Sequence, residues 1–201
     1  MGVRVMINER LKKQMDFLLE IDKVKNIFRM TYVGDKSRHE NDAEHSWHLG
    51  IMAFMLSEYV DKDVDVNKVM KMVLIHDLIE IYAGDTFAFD EKALVDKSER
   101  EEKSACKLFS LLPEDQGQEF KSLWEEFELC ETKEAEYASM LDRLQPLLLN
   151  YMTEGGSWKE HNISKEKIYK RNEITFKKGP KEFVDLINYV VDDCVEKGYI
   201  K

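Results

Sequence analysis

Apolar residues recur every three or four positions along most of this chain, which is the spacing of amphipathic helices. The strict alternation of apolar and polar residues that marks a half-buried strand is nearly absent. Three prolines and nine glycines are the only strong interruptions among 201 residues. The pattern therefore predicts an all-α fold, and the absence of a linker-like segment predicts a single domain over residues 1–201.

The N-terminal part of the pattern predicts two helices joined by a polar loop at residues 34–42. The second of these helices begins at Asn41 or Asp42, with Glu44 in capping-box spacing. The first helix carries one apolar face, made of Ile7, Leu11, Met15, Leu18 and Leu19.

The densest apolar stretch, residues 69–83, predicts a buried central helix. It opens at Asp65 or Asn67, and Gly84 is placed to end it in a left-handed cap. The stretch also contains a lysine, a His-Asp pair and a glutamate, which a membrane-spanning helix would tolerate only at high cost. A core helix that carries polar chemistry is the better interpretation.

The remaining pattern predicts helices over residues 97–112 and 114–130, then a long helix from Thr132 with a kink at Pro146. A final amphipathic helix starts at Lys181. Between these lies a short basic helix whose charges are expected to face solvent, namely Lys165, Lys167, Lys170 and Arg171.

Composition and charge narrow the possible partners. The chain is 43% apolar and 35% charged, as a folded globule requires, and its formal net charge is -10. That charge repels duplex nucleic acid and anionic membrane surfaces, so neither is an expected partner. Three widely spaced cysteines form no CxxC pair, which favours a reducing, cytoplasmic location.

The strongest chemical signal is the adjacent pair His76 and Asp77 inside the apolar central stretch. Burying an imidazole and a carboxylate is costly unless they pair with each other or bind a metal. His45 at a helix start and Asp142 on a later helix complete the order His, His-Asp, Asp. Two imidazoles and two carboxylates suit one divalent ion such as Mn, Co, Zn, Ni or Mg.

This order resembles the HD superfamily of metal-dependent phosphohydrolases, whose signature is H...HD...D on helices of an all-α bundle. Three segments are similar to the branch that contains bacterial 5'-deoxynucleotidases, at residues 41–46, 76–85 and 140–144. The similarity is strongest over residues 7–150, and the C-terminal helices over 157–201 are expected to pack on that part.

The resemblance implies specific roles for individual residues. The metal would be held by His45, His76, Asp77 and Asp142. Glu80 would act as general acid or base, and Asp85 would contact the sugar or the attacking water. Arg29 would bind the phosphate, with Arg38 as the reserve candidate. The implied activity is phosphate removal from deoxyribonucleoside 5'-monophosphates, by an enzyme that forms a homodimer.

Two alternatives stay open at the level of sequence. The same fold could act on a nucleoside di- or triphosphate, a cyclic nucleotide or an alarmone. The chain could also be a non-catalytic helical protein that keeps a metal, although a structural metal site has no need of Glu80 and Asp85 at its mouth.

Overall fold

The computed structural model describes residues 7–90 and 92–201, and within them helices dominate, as the sequence predicts. The helices are α1 (Glu9–Ile21), α2 (Asp42–Met55), α3 (Val66–Ile75), α4 (Glu80–Ala83), α5 (Lys97–Phe109), α6 (Glu114–Leu129), α7 (Lys133–Met152), α8 (Gly156–Glu160), α9 (Lys165–Arg171), α10 (Glu173–Lys178) and α11 (Lys181–Glu196). Two 3-10 turns, Asp22–Asn26 and Leu56–Tyr59, follow α1 and α2. The all-α prediction is confirmed.

A small antiparallel pair of strands, β1 (Phe28–Tyr32) and β2 (His39–Asn41), lies between α1 and α2. The prediction of a loop over residues 34–42 is therefore wrong for its last residues. Strand β2 has only three residues, too few for an alternating pattern to stand out in the sequence. The pair matters for the site because Arg29 lies on β1 and Glu40 on β2.

Helix α1 packs through a different face from the apolar one that its sequence displays. Phe17 is its buried residue and meets Phe120 of α6 edge-on, with 5.5 Å between ring centroids. The predicted apolar face is exposed, with Leu18 and Leu19 at 62% and 71% of full exposure. Periodicity identified this apolar face correctly, but it could not show whether another part of the chain packs against it.

The central stretch is not one continuous helix. Helix α3 ends at Ile75, and a turn over residues 76–79 separates it from α4. In this turn the backbone N–H groups of Leu78 and Glu80 donate three residues back, to Ile75 and Asp77. Gly84 ends α4 with φ of +78°, a value that glycine adopts without a steric penalty. The break falls at the His-Asp pair, which the apolar run had concealed.

Helix α7 is the centre of the larger hydrophobic cluster. It packs against α2, α3, α6, α10 and α11, and its predicted inward face is buried. Four of the five expected inward residues of α11 are buried too, including Phe183 and Val191, and Leu186 is partly buried. Across the two described ranges, no helix has both the length and the apolar character to cross a bilayer.

Candidate metal centre

The start of α2 fixes the position of His45. Asn41 accepts a hydrogen bond from the backbone N–H of Glu44 at 2.9 Å, and the Glu44 carboxylate accepts one from the backbone N–H of Asn41 at 3.2 Å. This reciprocal capping box satisfies helix-end donors that would otherwise be unpaired. It places His45 in the first helical turn, where its side chain is completely buried.

The His45 ring is held in one orientation by a contact at Nδ1, the ring nitrogen that does not face the aspartates. Its Nδ1 lies 3.0 Å from Oε1 of Gln145, an oxygen that can only accept, so Nδ1 carries the proton. The amide nitrogen of Gln145 in turn donates to Glu40 at 2.6 Å. This chain of contacts leaves Nε2 of His45 with its lone pair free toward the cleft, as a metal ligand needs.

His76 is oriented in the same way by the backbone. Its Nδ1 lies 3.0 Å from the carbonyl oxygen of Val73, which leaves Nε2 as the unprotonated nitrogen. Nε2 of His76 is buried and has no hydrogen-bond partner within the described residues. A buried nitrogen lone pair without a partner is costly, and a bound cation would remove that cost.

Two aspartates meet these nitrogens. Asp142 Oδ1 lies 3.1 Å from Nε2 of His45 and 3.7 Å from Nε2 of His76. Asp77 Oδ1 lies 3.1 Å from Nε2 of His76, and its Oδ2 lies 3.8 Å from Nε2 of His45. Ligands at about 2.1 Å from one ion are roughly 3.0–3.4 Å apart. His45, His76 and Asp142 each offer a ligand atom within 4.8 Å of the others, so these three could hold a divalent cation, and Asp77 lies beside them.

The charge states also suit metal binding. Burial and the neighbouring Arg29 lower the pKa of His45 to about 4, so the ring is neutral at physiological pH. Burial opposes ionisation of Asp142, but its close contacts with the His45 and His76 rings and the charge of Arg171 outweigh burial and hold its pKa well below the ordinary value. A neutral imidazole beside an ionised carboxylate is the form in which each binds a metal.

Glu80 lies beside this cluster, and its surroundings favour the neutral carboxyl group. Burial and the charges of Asp77 and Asp42 raise its pKa well above the ordinary value, and its Oε2 is buried with no hydrogen-bond partner among the described residues. Burial likewise raises the pKa of Asp85, which follows Gly84 at the end of α4. Both side chains line the same cleft as the metal cluster.

Arg29 reaches into the cluster from β1. Its Nη1 lies 2.7 Å from Oδ2 of Asp77 and 3.4 Å from Oδ1 of Asp42. Burial opposes its charge, but Asp77 and Asp142 raise its pKa, so it stays protonated. Arg38 is not brought to the cleft, because its guanidinium pairs with Glu44 and half of its side chain is exposed.

A family model for the HD domain matches residues 21–183, a span that includes all four candidate ligands. The chain belongs to the HD domain family. Its HD-domain relatives include the 5'-deoxynucleotidase HDDC2 of Bos taurus, 28% identical over 147 residues, which are 73% of this chain and 70% of the relative. The human protein of that name is 28% identical over 135 residues, or 67% of this chain and 65% of the relative.

Solved structures agree with the HD-domain assignment. A predicted metal-dependent phosphohydrolase from Magnetospirillum magnetotacticum is 50% identical and superposes with a TM-score of 0.90, covering 97% of this chain and 99% of that one. The PH0347 protein of Pyrococcus horikoshii shares the fold, with a TM-score of 0.66, 23% identity and coverage of 89% and 98%. Together these comparisons support a metal-dependent phosphohydrolase.

Besides the metal cluster, residues from the C-terminal half of the chain form a second wall of the HD-domain cleft, among them Phe127, Trp158 and Arg171. Aromatic side chains also line the cleft, where Phe87 packs on Phe89 at 5.4 Å and Phe127 packs on His76 at 4.8 Å between ring centroids. Phe87 also packs on His161 at 4.5 Å. The cleft therefore has both charged and aromatic lining residues.

One expectation about this wall is wrong. Arg171 does not face bulk solvent with its neighbouring lysines but points into the cleft, with Nη2 3.2 Å from Oδ2 of Asp142. Helix α9 is short and buries Ile168, which turns the adjacent face toward the site. Only the non-local packing of α9 reveals this.

Sequence reasoning also missed other residues at the cleft. Asp42 is completely buried, and burial and Asp77 raise its pKa to about 8, whereas the sequence suggested only a helix cap. Arg143 follows a candidate ligand directly and lines the cleft. The position of Arg143 directly after Asp142 was a usable signal, but adjacency in sequence did not show that its side chain turns inward.

Proposed function

We propose that this chain is a metal-dependent 5'-nucleotidase that removes phosphate from deoxyribonucleoside 5'-monophosphates. The observation that carries the proposal is the close approach of two imidazole Nε2 atoms to two aspartates, beside the buried carboxyl group of Glu80. Relatives named 5'-deoxynucleotidase support the substrate class. The aromatic residues that line the cleft offer a surface for a base, since every base has a π-face.

His45, His76, Asp77 and Asp142 would hold one divalent ion, drawn from Mn, Co, Zn, Ni or Mg. Such an ion, when bound, supplies positive charge that polarises a phosphoryl oxygen and makes a water molecule more acidic. Mixed nitrogen and oxygen ligands accept several of these metals, so metal availability would decide among them. Gln145 and the Val73 carbonyl keep the two rings aligned without contacting substrate.

Glu80 would provide the proton for the leaving group. Burial and the charges of Asp77 and Asp42 raise its pKa, which is the direction that favours a general acid. Proton transfer to the 5' oxygen as the P–O bond breaks would neutralise the developing alkoxide. Asp85, one turn further along and lining the same cleft, would orient the sugar or the attacking water.

Arg29 would add positive charge at the phosphate end. Its side chain lines the cleft, yet only 13% of it is exposed and its Nη1 is already engaged by Asp77. A phosphate monoester carries about two negative charges at neutral pH. Arg29 alone is therefore a limited counterion for the substrate.

Phosphate release tests the proposal. Metal-stripped protein would be supplied with each candidate metal and a panel of 5'-ribo- and 5'-deoxyribonucleoside monophosphates, with nucleoside triphosphates and cyclic nucleotides as competing substrates. We expect activity only with added metal, its loss in Asp77→Ala, and its retention in Asp192→Ala, an exposed aspartate on α11. Metal binding without any phosphate release from the panel would refute the nucleotidase.

We also propose that the protein forms a homodimer through apolar stripes on α1 and α2. The α1 stripe is Leu11, Met15, Leu18 and Leu19, and the α2 stripe is Trp47, Ile51, Phe54 and Met55, all 43% to 71% exposed. Contiguous apolar surface of this kind usually marks an interface.

A cytoplasmic location stays a prediction from the cysteine pattern.

Light scattering during gel filtration tests the dimer. Phe54→Glu should give a folded monomer, because a charge replaces a side chain that is 70% exposed and would be buried between copies. Leu129→Glu is the matched control, since Leu129 is 68% exposed on a different helix. A wild-type protein that elutes as a monomer at high concentration would contradict the dimer.

A further inference from the structure

Two arginines from the C-terminal half face the cleft beside Asp142. Arg143 is the next residue on α7, and Arg171 ends α9. Both line the cleft, together with Arg29. Three guanidinium groups thus converge on one opening in a protein whose formal net charge is -10.

Arg143 has little to balance its charge. Its Nη1 donates to the Ser139 backbone oxygen at 2.6 Å and also to the Ser139 hydroxyl. Within the described ranges, no carboxylate lies within 4.0 Å of its guanidinium nitrogens. A partly buried cation held only by neutral oxygens still attracts an anion.

Arg171 has one carboxylate contact and donors to spare. Its Nη2 meets Asp142 Oδ2 at 3.2 Å, and 36% of its side chain is accessible. A guanidinium has five N–H donors, so a single contact leaves most of them available. Burial lowers the pKa of Arg171, Asp142 opposes that shift, and the positive charges of Arg143 and Arg29 add to it.

We propose that Arg143 and Arg171 together clamp the phosphate group of the substrate, so that α9 completes the binding site. The clamp rests on the proposed phosphohydrolase function and names the residues that recognise its dianionic group. Guanidinium forks match phosphate oxygens in geometry and charge better than a lysine ammonium does. The mutual repulsion of the arginines would be relieved by that dianion.

Asp142 sets the position of this clamp relative to the metal ligands. Its Oδ1 faces Nε2 of His45 at 3.1 Å, while its Oδ2 faces Arg171 at 3.2 Å. Arg171 therefore contacts one candidate ligand directly, through the Asp142 oxygen that does not face His45. An anion held by the arginines lies next to the cluster where phosphoryl chemistry is proposed.

Other cations near the cleft are less suited to this role. Lys97 is paired with Glu101 at 3.2 Å, and Glu101 is almost completely buried. Lys170 is adjacent to Arg171 in sequence but exposed and absent from the cleft lining. Lys170 therefore provides a matched control for removal of a positive charge from α9.

The test uses inorganic phosphate as the probe, bound to full-length, metal-loaded protein and followed by calorimetry. Arg143→Ala and Arg171→Ala should each weaken phosphate binding roughly tenfold to a hundredfold, the range for loss of charged hydrogen bonds. Arg171→Lys should recover part of the loss, and Lys170→Ala should bind like wild type. In turnover, the alanine variants should raise KM by a larger factor than they lower kcat.

Metal affinity, measured on the same samples, separates the clamp from a structural role. Arg143 contacts no candidate ligand, so Arg143→Ala should keep wild-type metal affinity while losing phosphate affinity. Wild-type phosphate affinity in Arg143→Ala, or a loss in Arg171→Ala that merely follows metal loss, would overturn the clamp. Phosphate bound through both arginines, without hydrolysis of any nucleotide, would refute the nucleotidase alone.

Discussion

The metal end and the C-terminal wall of the cleft differ in how deeply their side chains are buried and in how many contacts hold them. At the metal end, His45 and Asp142 are buried and contact each other, and His45 also contacts Gln145. On the C-terminal wall, Arg171 is more than a third accessible, and among the described residues its guanidinium has a single polar partner. Groups that take part in bond breaking need fixed geometry, whereas groups that recognise a substrate can complete their contacts when it arrives. The difference indicates that chemistry and recognition are separable by mutation.

The largest effect is expected at the metal end, from Glu80→Gln. The amide cannot deliver a proton, so kcat should fall roughly 10²- to 10⁴-fold, the usual contribution of general acid catalysis. Metal content should be unchanged, because Glu80 is not one of the proposed ligands. Stopped-time phosphate assays with Glu58→Gln, an exposed glutamate, as control check this. Activity within twofold of wild type would remove Glu80 from the mechanism.

A smaller effect should follow from Gln145→Leu, because Gln145 contacts a proposed ligand, His45, rather than the metal itself. It removes the acceptor for Nδ1 of His45 and the donor to Glu40, so the ring loses its fixed orientation. Loss of such supporting contacts typically weakens metal affinity about 10- to 100-fold. Metal titration against Gln118→Leu, on the surface of α6, provides the comparison. Unchanged affinity would show that burial alone orients His45.

Removing an aromatic side chain from the cleft should have a weaker effect than these two substitutions, and only with nucleotide substrates. Phe87→Ala removes a ring that packs on Phe89 and His161, and loss of base stacking should raise KM for a nucleoside monophosphate by about tenfold. A phosphate ester without a base should show a KM change below twofold. Equal losses for both substrates would mean that Phe87 supports the fold rather than the base.

Arg38→Ala should have the smallest effect. The Arg38 guanidinium pairs with Glu44 outside the cleft, and exposed ion pairs contribute at most about 1 kcal/mol. KM and kcat should both stay within twofold of wild type in steady-state assays. A selective rise in KM for phosphate esters would show that Arg38 reaches the substrate during turnover. Substrate recognition would then involve this N-terminal residue as well as the C-terminal wall.

Most of the helices and the candidate ligands could be predicted from the sequence because their signals are local. The capping box at Asn41, the apolar periodicity of α11 and the inward face of α7 all depend on residues within a few positions of one another. The break at His76 was concealed because polar and apolar residues follow each other there without a glycine or proline. Strand β2 was missed because three residues form no visible pattern.

The sequence by itself determined the all-α class, the main helix starts and the order of His45, His76, Asp77 and Asp142. Tertiary structure alone decided that Arg171 turns inward, that Asp42 is buried beside Glu80, and that the apolar face of α1 is left exposed. Periodicity reveals which side of a helix is apolar or charged. What lies against that side depends on residues far away in the chain. Asp142 and Arg171 are 29 positions apart, and only the packing of the helices brings them into contact.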